Sequence, residues 1–256
     1  MKENWIIQND FKSFEKELKS IIHSFSSKGD IVMNGERNLI KKFTLSTGLV
    51  INIKSFKKPH FINQFSYAYI RDSKAKRSFN NGIRLDQSGI KTPKPIAYIE
   101  FSNVFGITNS YYVSKHVDYD FTYRELLNPS FPDRENILRK FTRFTHQLHE
   151  NNIDFLDHSP GNTLIIKREN GTYDFYLIDL NRMNFKIMDI SDRTANFKKL
   201  SAKDDMIKIM GDEYAKIVNE SSQVMYDFIK KASDEFQYKY QRKKTIKSKL
   251  LGREYS

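Results

Sequence analysis

Apolar positions near the start of the chain recur at helical spacing, at Phe11, Phe14, Leu18, Ile21, Ile22 and Phe25. They predict an amphipathic helix over residues 10–26, ended by Gly29. The period then shortens. Ile31-Val32-Met33, Leu39 to Leu45 and Leu49 to Phe56 are β-rich runs separated by turns at Asn34 to Asn38 and Ser46-Thr47-Gly48, which reads as a meander. Residues 60–72 are aromatic and polar with no clear period. Ser73 to Ser88 is helical again, with Ala75, Phe79, Ile83 and Leu85 facing inward and Gly82 weakening it. The stretch from Gly89 to Pro95 cannot continue a helix, and Ile96 to Phe101 and Ser110 to Val113 are two further strands. The first 115 residues therefore predict a five-stranded antiparallel sheet with one helix across it.

After Lys115 the pattern turns mainly helical. Ile137, Leu138, Phe141, Phe144 and Leu148 form one stripe, with Asp133 near its start and Asn151-Asn152 at its end. Ile207, Met210, Tyr214 and Ile217 form a second, and Met225, Phe228, Ile229, Ala232 and Phe236 a third. Between the first and second lie a polar loop, a strand from Thr163 to Lys167, a turn at Asn170-Gly171 and a strand from Tyr173 to Ile178. The expected class is α+β, with a mostly β front over 1–115 and a mostly α back over 116–256, joined near Ser114-Lys115-His116.

Composition narrows the partners. In 256 residues, 39% hydrophobic and 14% aromatic content is enough to bury a core and argues against wholesale disorder. No run reaches membrane-spanning length, and Met1-Lys2-Glu3-Asn4-Trp5 lacks the apolar segment of a signal peptide, so a cytoplasmic protein is expected. The absence of cysteine excludes disulfides, thiolate metal sites and cysteine nucleophiles. A net charge of +12 favours polyanionic partners. Scattered lysines are solubility charge, but Lys239, Arg242, Lys243, Lys244, Lys247, Lys249 and Arg253 crowd the C-terminus. With Tyr238 and Tyr240 among them the cluster suggests nucleic acid, yet no nucleic-acid motif accompanies it. An anionic lipid surface suits it better, beside the plain alternative of a solvated terminus. His146 and His149, three apart on a helix, and His158 do not make a zinc site, because no fourth-ligand motif accompanies them.

The chemistry concentrates in Asp157-His158-Ser159-Pro160-Gly161-Asn162 and, after a strand and a turn, Leu177-Ile178-Asp179-Leu180-Asn181. Phosphoryl transfer needs the nucleotide phosphates neutralised, a divalent metal held and an acceptor hydroxyl set beside a base. Asp157 stands where a base stands. Asn162, five residues on, and Asp179 offer the hard oxygen ligands that magnesium takes. Lys54 lies in a strand after a glycine hairpin, where it could reach phosphates. Taken singly, Asp157 and Asn162 are also turn residues, Asp179 a cap and Lys54 an edge-strand lysine. Their order and strand–turn–strand context favour the phosphotransferase.

In that order the segments resemble the lipopolysaccharide kinase family, the Kdo/WaaP group of the protein-kinase-like superfamily, in its Bacteroidetes form. The likeness runs through Gly35-Glu36-Arg37-Asn38, Val50 to Phe56, Ser73 to Ser78, Thr92 to Glu100, Ser110 to Ser114, Asp157 to Asn162 and Leu177 to Met183. It implies a bilobal kinase fold with ATP between the lobes. Gly35, Arg37 and Asn38 would occupy the phosphate loop, Lys54 would contact the α- and β-phosphates, and Ser114 to His116 would form the hinge. Asp157 would be the base, and Asn162 and Asp179 would hold Mg2+. The implied acceptor is a lipid-linked anionic sugar of the lipopolysaccharide inner core, most of all Kdo on lipid A, with inner-membrane contact through the basic tail. A small-molecule phosphotransferase acting on an aminoglycoside or choline-like alcohol, and a nucleotide- or lipid-binding pseudokinase, are the other readings.

Four positions depart from the family pattern. Phe155 replaces the histidine two residues before the aspartate, Asn181 the glycine of the metal motif, and the phosphate loop has Gly35 alone. The helix that should supply a glutamate to Lys54 has no acid between Asp72 and Asp86, so that place falls to Ser78 or Asn80. Either another acid, such as Asp86 or Glu36, is expected to partner Lys54, or the lysine is less firmly fixed than is usual in the family.

Overall fold

A computed structural model of the chain describes residues 2–35, 38–56 and 72–250. The chain divides into two units, residues 1–118 with 176–182, and residues 119–175 with 183–256.

The first unit is built on an antiparallel sheet of β1 (Lys2–Ile7), β2 (Asp30–Asn34), β3 (Asn38–Thr44), β4 (Val50–Phe56), β5 (Pro95–Asn103) and β6 (Gly106–Lys115), in the order β1-β5-β6-β4-β3-β2. Alternation along the strands sends Ile51, Ile53, Ile99, Phe101 and Val113 to one face, where they are buried with Leu18 and Ile22 of α1 (Glu15–His23). Each such side chain contributes about 1.5–3 kcal/mol by leaving water. On another patch Phe56, Tyr98 and Tyr112 pack against Ala75 and Phe79 of α2 (Lys74–Gln87), whose N-terminus is capped by the Ser73 side chain accepting from the Lys76 amide.

The α+β class expected from the sequence holds, with six strands in place of five. The extra one, β1, is exposed along most of its length and pairs with β5 from Lys2↔Ser102 to Ile7↔Ala97. Its partner is remote in sequence and its own alternation is weak, so no local pattern reveals it. The helix expected over 10–26 is shorter: a 3-10 turn, Asn9–Phe14, leads into α1. Behind it Lys41 is buried in β3, with its ammonium donating to the carbonyls of Phe25 (2.7 Å), Lys28 (2.8 Å) and Ser26 (3.2 Å). All three ammonium protons thus have acceptors, which is what makes a buried lysine tolerable.

The second unit centres on α3 (Arg134–Glu150), whose Leu138, Phe141 and Leu148 are fully buried. A three-stranded sheet, in the order β10 (Tyr173–Leu177), β9 (Thr163–Lys167), β7 (Phe121–Thr122), lies beside a two-stranded pair, β8 (Ile153–Phe155) and β11 (Met183–Phe185). Then follow α4 (Ile190–Ala195), a 3-10 turn Asn196–Lys199, α5 (Asp204–Val218) and α6 (Ser222–Leu250). Met210 and Tyr214 of α5 and Met225 and Ile229 of α6 are buried, as their spacing predicts. Buried Glu213 takes Arg139 and Arg143 as partners, so its charge is compensated. From Tyr238 to Ile246 every residue of α6 is exposed. Among the described residues no helix is long and apolar enough to cross a membrane.

Candidate active site

In the first unit, strand alternation puts Lys54 on the same face of β4 as Phe56, and its ammonium stands 5.3 Å from the Phe56 ring centre. The ammonium donates to Asp179 Oδ1 at 2.7 Å. Asp179 occupies the left-handed region, with φ 59°, a conformation uncommon for a residue with a side chain. The same Oδ1 accepts from the Asn181 amide at 2.6 Å. One carboxylate oxygen is therefore fixed by a cation and an amide, while Oδ2 retains its own lone pairs. Asn181 thus orients the Asp179 carboxylate.

Of the two acids expected as substitute partners for Lys54, one is engaged elsewhere and the other is not described. Asp86 is paired with Lys94 at 2.7 Å, and Glu36 lies outside the described residues, as does Arg37. Nor do Ser78, which is buried, or Asn80, which is exposed, take the place of the helix acid. The neighbour Asn81 does something different: its amide donates to the Leu180 carbonyl at 2.6 Å. Gly82 permits that approach. A Cβ there would stand 2.6 Å from Pro95 Cγ and 3.4 Å from Leu180 Cδ1. The sequence marked Gly82 only as a weakness in the helix.

Of the other expected nucleotide contacts, Gly35 closes the β2–β3 turn by donating its amide to the Asn38 carbonyl at 3.0 Å. The Asn38 Oδ1 is buried with no hydrogen-bond partner among the described residues. Ser114 is buried within β6, opposite Asn52. The His116 amide donates to the Val50 carbonyl at 2.9 Å, and its ring nitrogens lie 3.1 Å from Asn52 Oδ1 and 3.2 Å from Asp118 Oδ1. A cavity of about 380 Å3 in this unit is lined by Asp86, Lys91, Lys94, Lys115, His116 and Tyr176, among others. Neither Lys54 nor Asp179 lines it.

In the second unit the loop after β8 is tied by its own backbone, with the His158 amide on the Phe155 carbonyl (3.1 Å) and the Asn162 amide on the Ser159 carbonyl (2.9 Å). The Asn162 side-chain amide donates to the Asp157 carbonyl at 2.8 Å. That bond sets the orientation of the amide and leaves Oδ1 as its acceptor face. Asp157 Oδ1 accepts from Lys199 at 3.0 Å. Arg124 lies over the loop, with one guanidinium nitrogen 3.0 Å from where a Cβ on Gly161 would stand.

His158 points inward, buried, with Nδ1 3.1 Å from Asn196 Oδ1 and its ring beside Phe141 and Phe155. Burial lowers its pKa to about 4, and that of His149 to about 3. Both are core residues, and no metal-ligating cluster of acids or histidines occurs among the described residues.

Asn81, Arg124 and Lys199 are the residues near these groups that sequence reasoning did not find. Asn81 differs from Asn80 only by register, and Arg124 and Lys199 stand 33 residues before and 42 after Asp157.

No curated protein matches the chain in sequence. Among solved structures, "WaaP in complex with acyl carrier protein" superposes with a TM-score of 0.61 over 91% of this chain and 99% of that one, at 12% identity. A Rio2 kinase–ADP/Mg2+-phosphoaspartate complex from Chaetomium thermophilum aligns at 16% identity over 87% of this chain and 75% of that one, with a TM-score of 0.47. The fold is that of the WaaP structure, within the α+β class expected. A profile of the lipopolysaccharide kinase (Kdo/WaaP) family matches residues 54–220, well over half of the chain and the whole stretch from Lys54 through Asp157, Asn162 and Asp179. The chain belongs to the lipopolysaccharide kinase (Kdo/WaaP) family.

Proposed function

We propose that this kinase transfers the γ-phosphate of ATP to a sugar hydroxyl of the lipopolysaccharide inner core, with Kdo on lipid A as acceptor. The observation that carries the reading is the 2.7 Å contact between Lys54 and Asp179 within a chain of this family. It supplies the carboxylate that the helix lacks, and so supports an active enzyme over a nucleotide-binding scaffold.

Lys54 neutralises the α- and β-phosphates, and the β2–β3 turn at Gly35 and Asn38 covers them. The 114–116 stretch faces the base of the nucleotide. Since the Lys115 and His116 amides already donate to the Lys94 and Val50 carbonyls, that stretch contributes shape and carbonyl oxygens. Asp157 accepts the proton of the attacking hydroxyl and orients its oxygen for in-line displacement. The oxygen chemistry of Asn162 Oδ1 and Asp179 Oδ2 fits Mg2+, which when bound neutralises charge on the phosphates.

The exposed end of α6 carries Lys239, Arg242, Lys243 and Lys244 and supports contact with an anionic membrane surface on the cytoplasmic side. Co-sedimentation with anionic but not zwitterionic vesicles, lost on truncation after Gln237, is the expected behaviour.

The decisive assay is incubation of the purified protein with Mg-ATP and Kdo–lipid A. Mass spectrometry should show one added phosphate on the sugar, absent with Asp157→Asn. Transfer to aminoglycosides or choline instead, with lipopolysaccharide unchanged, would replace the acceptor assignment.

A further inference from the structure

The loop that carries Asp157 has no lysine or arginine of its own from Asp154 to Asn162. A base poised beside a phosphate-rich substrate needs its carboxylate held in one orientation, and a fixed cation does that most directly. The cation comes from far along the chain. Lys199 donates to Asp157 Oδ1 at 3.0 Å and to the preceding carbonyl, of Leu156, at 2.6 Å.

Lys199 is not a surface lysine that happens to reach the loop. It ends the 3-10 turn Asn196–Lys199, and the other end of that turn is fastened to the same loop. The Asn196 amide donates to Asp154 Oδ1 (2.9 Å) and to the Phe155 carbonyl (3.2 Å), and its Oδ1 meets His158 Nδ1 (3.1 Å). Between them, Phe197 is buried against the rings of His149, His158 and Tyr214. A four-residue turn thus grips five consecutive residues, 154–158, by both of its ends. The Lys199 and Asp157 side chains are 22% and 21% exposed, partly shielded yet open enough for a substrate to reach the carboxylate.

We propose that Lys199 is the positioning residue for the base, and that the Asn196–Lys199 turn exists to set the angle at which Asp157 meets the acceptor hydroxyl. The proposal rests on the reading of Asp157 as base given above. It assigns Lys199 an effect on turnover and not on nucleotide affinity, because Lys199 touches Asp157 and the Leu156 carbonyl.

Lys199→Met, Lys199→Gln and Lys199→Arg would be compared with the parent in three measurements: turnover with Mg-ATP and Kdo–lipid A, KM for Mg-ATP, and amide hydrogen exchange across 154–162. Lys199→Met should lose roughly 10–100-fold in kcat, the range that misplacing a reacting group produces, with KM for Mg-ATP within about twofold. Exchange at 156–158 should quicken while α3 and α5 keep their protection. Lys199→Arg should recover most of the turnover. Should Lys199→Met fail to fold, Lys199→Gln, which can still donate to the Leu156 carbonyl, carries the same comparison. An active parent whose Lys199→Met variant turns over normally would overturn the proposal. If the parent transfers no phosphate, the functional reading fails and hydrogen exchange decides alone: unchanged protection of 156–158 in the variant overturns the positioning role as well.

Discussion

The Lys54 ammonium is bound by Asp179 Oδ1 at 2.7 Å, and helix α2 supplies no acid to it. Lys54 and Asp179 are therefore one unit of charge, both partly buried, at 13% and 30% side-chain exposure. Groups that act as one unit give non-additive kinetics. Lys54→Met and Asp179→Asn should each lower kcat by roughly two to three orders of magnitude, as loss of a charge-stabilising group does. The double variant should fall less than about tenfold further. Single-turnover rates of the three variants check this, and fully multiplicative losses would show the pair to be independent.

Gly82→Ala tests the close approach of α2. In an exposed helix this change gains up to about 1 kcal/mol. Here the new methyl meets Pro95 Cγ at 2.6 Å, so overpacking should reverse the sign and cost about 1–3 kcal/mol. Urea denaturation reads the difference directly, and a stabilised variant would mean that the helix has room to shift.

Lys41→Met should be among the more damaging single changes in the first unit. It leaves three carbonyls, of Phe25, Ser26 and Lys28, without their donor, and bonds to a charged group contribute about 1.5–3 kcal/mol each in isolation. Water reaching the 26–28 turn offsets part of this, so a net loss of about 2–4 kcal/mol is expected from denaturant midpoints.

The buried histidines predict acid sensitivity. His149 and His158 are held neutral by burial, with pKa values lowered from 6.5 to about 3 and about 4. The unfolded chain takes up protons first, so stability is fully present above pH 6.5 and declines as the pH falls toward 4. Each histidine contributes a slope of about 1.4 kcal/mol per pH unit in that window. Stability curves between pH 7 and 5, above the carboxylate range, should flatten in a His158→Phe variant relative to the parent.

How much of this the sequence carries depends on how local each cause is. The stripe at 137–148 is buried as its period predicts, as are Ile207, Met210 and Tyr214 of the second and Met225 and Ile229 of the third, because a helix reports its inner face within a turn or two; Phe228 of the third is exposed. The loop from Asp157 to Asn162 is legible too, since its turns close within five residues. The strand β1 is not, because it pairs from Lys2↔Ser102 to Ile7↔Ala97, with partners far off in sequence. The same distance hides Lys199 from Asp157. The absent helix acid was visible, but its replacement was not: Asp179 reaches Lys54 from 125 positions downstream, and no spacing rule links them.

The contact of Asn81 with the Leu180 carbonyl has a mechanical consequence. In a kinase whose helix holds the lysine's acid, swinging the helix outward disarms the lysine, and the helix serves as a switch. In this chain such a swing would leave the Lys54 pair intact while breaking the Asn81 bond and parting the Gly82 backbone from Pro95 and Leu180. Moving α2 therefore costs packing without breaking the contact between Lys54 and Asp179. The helix is a strut and not a lever.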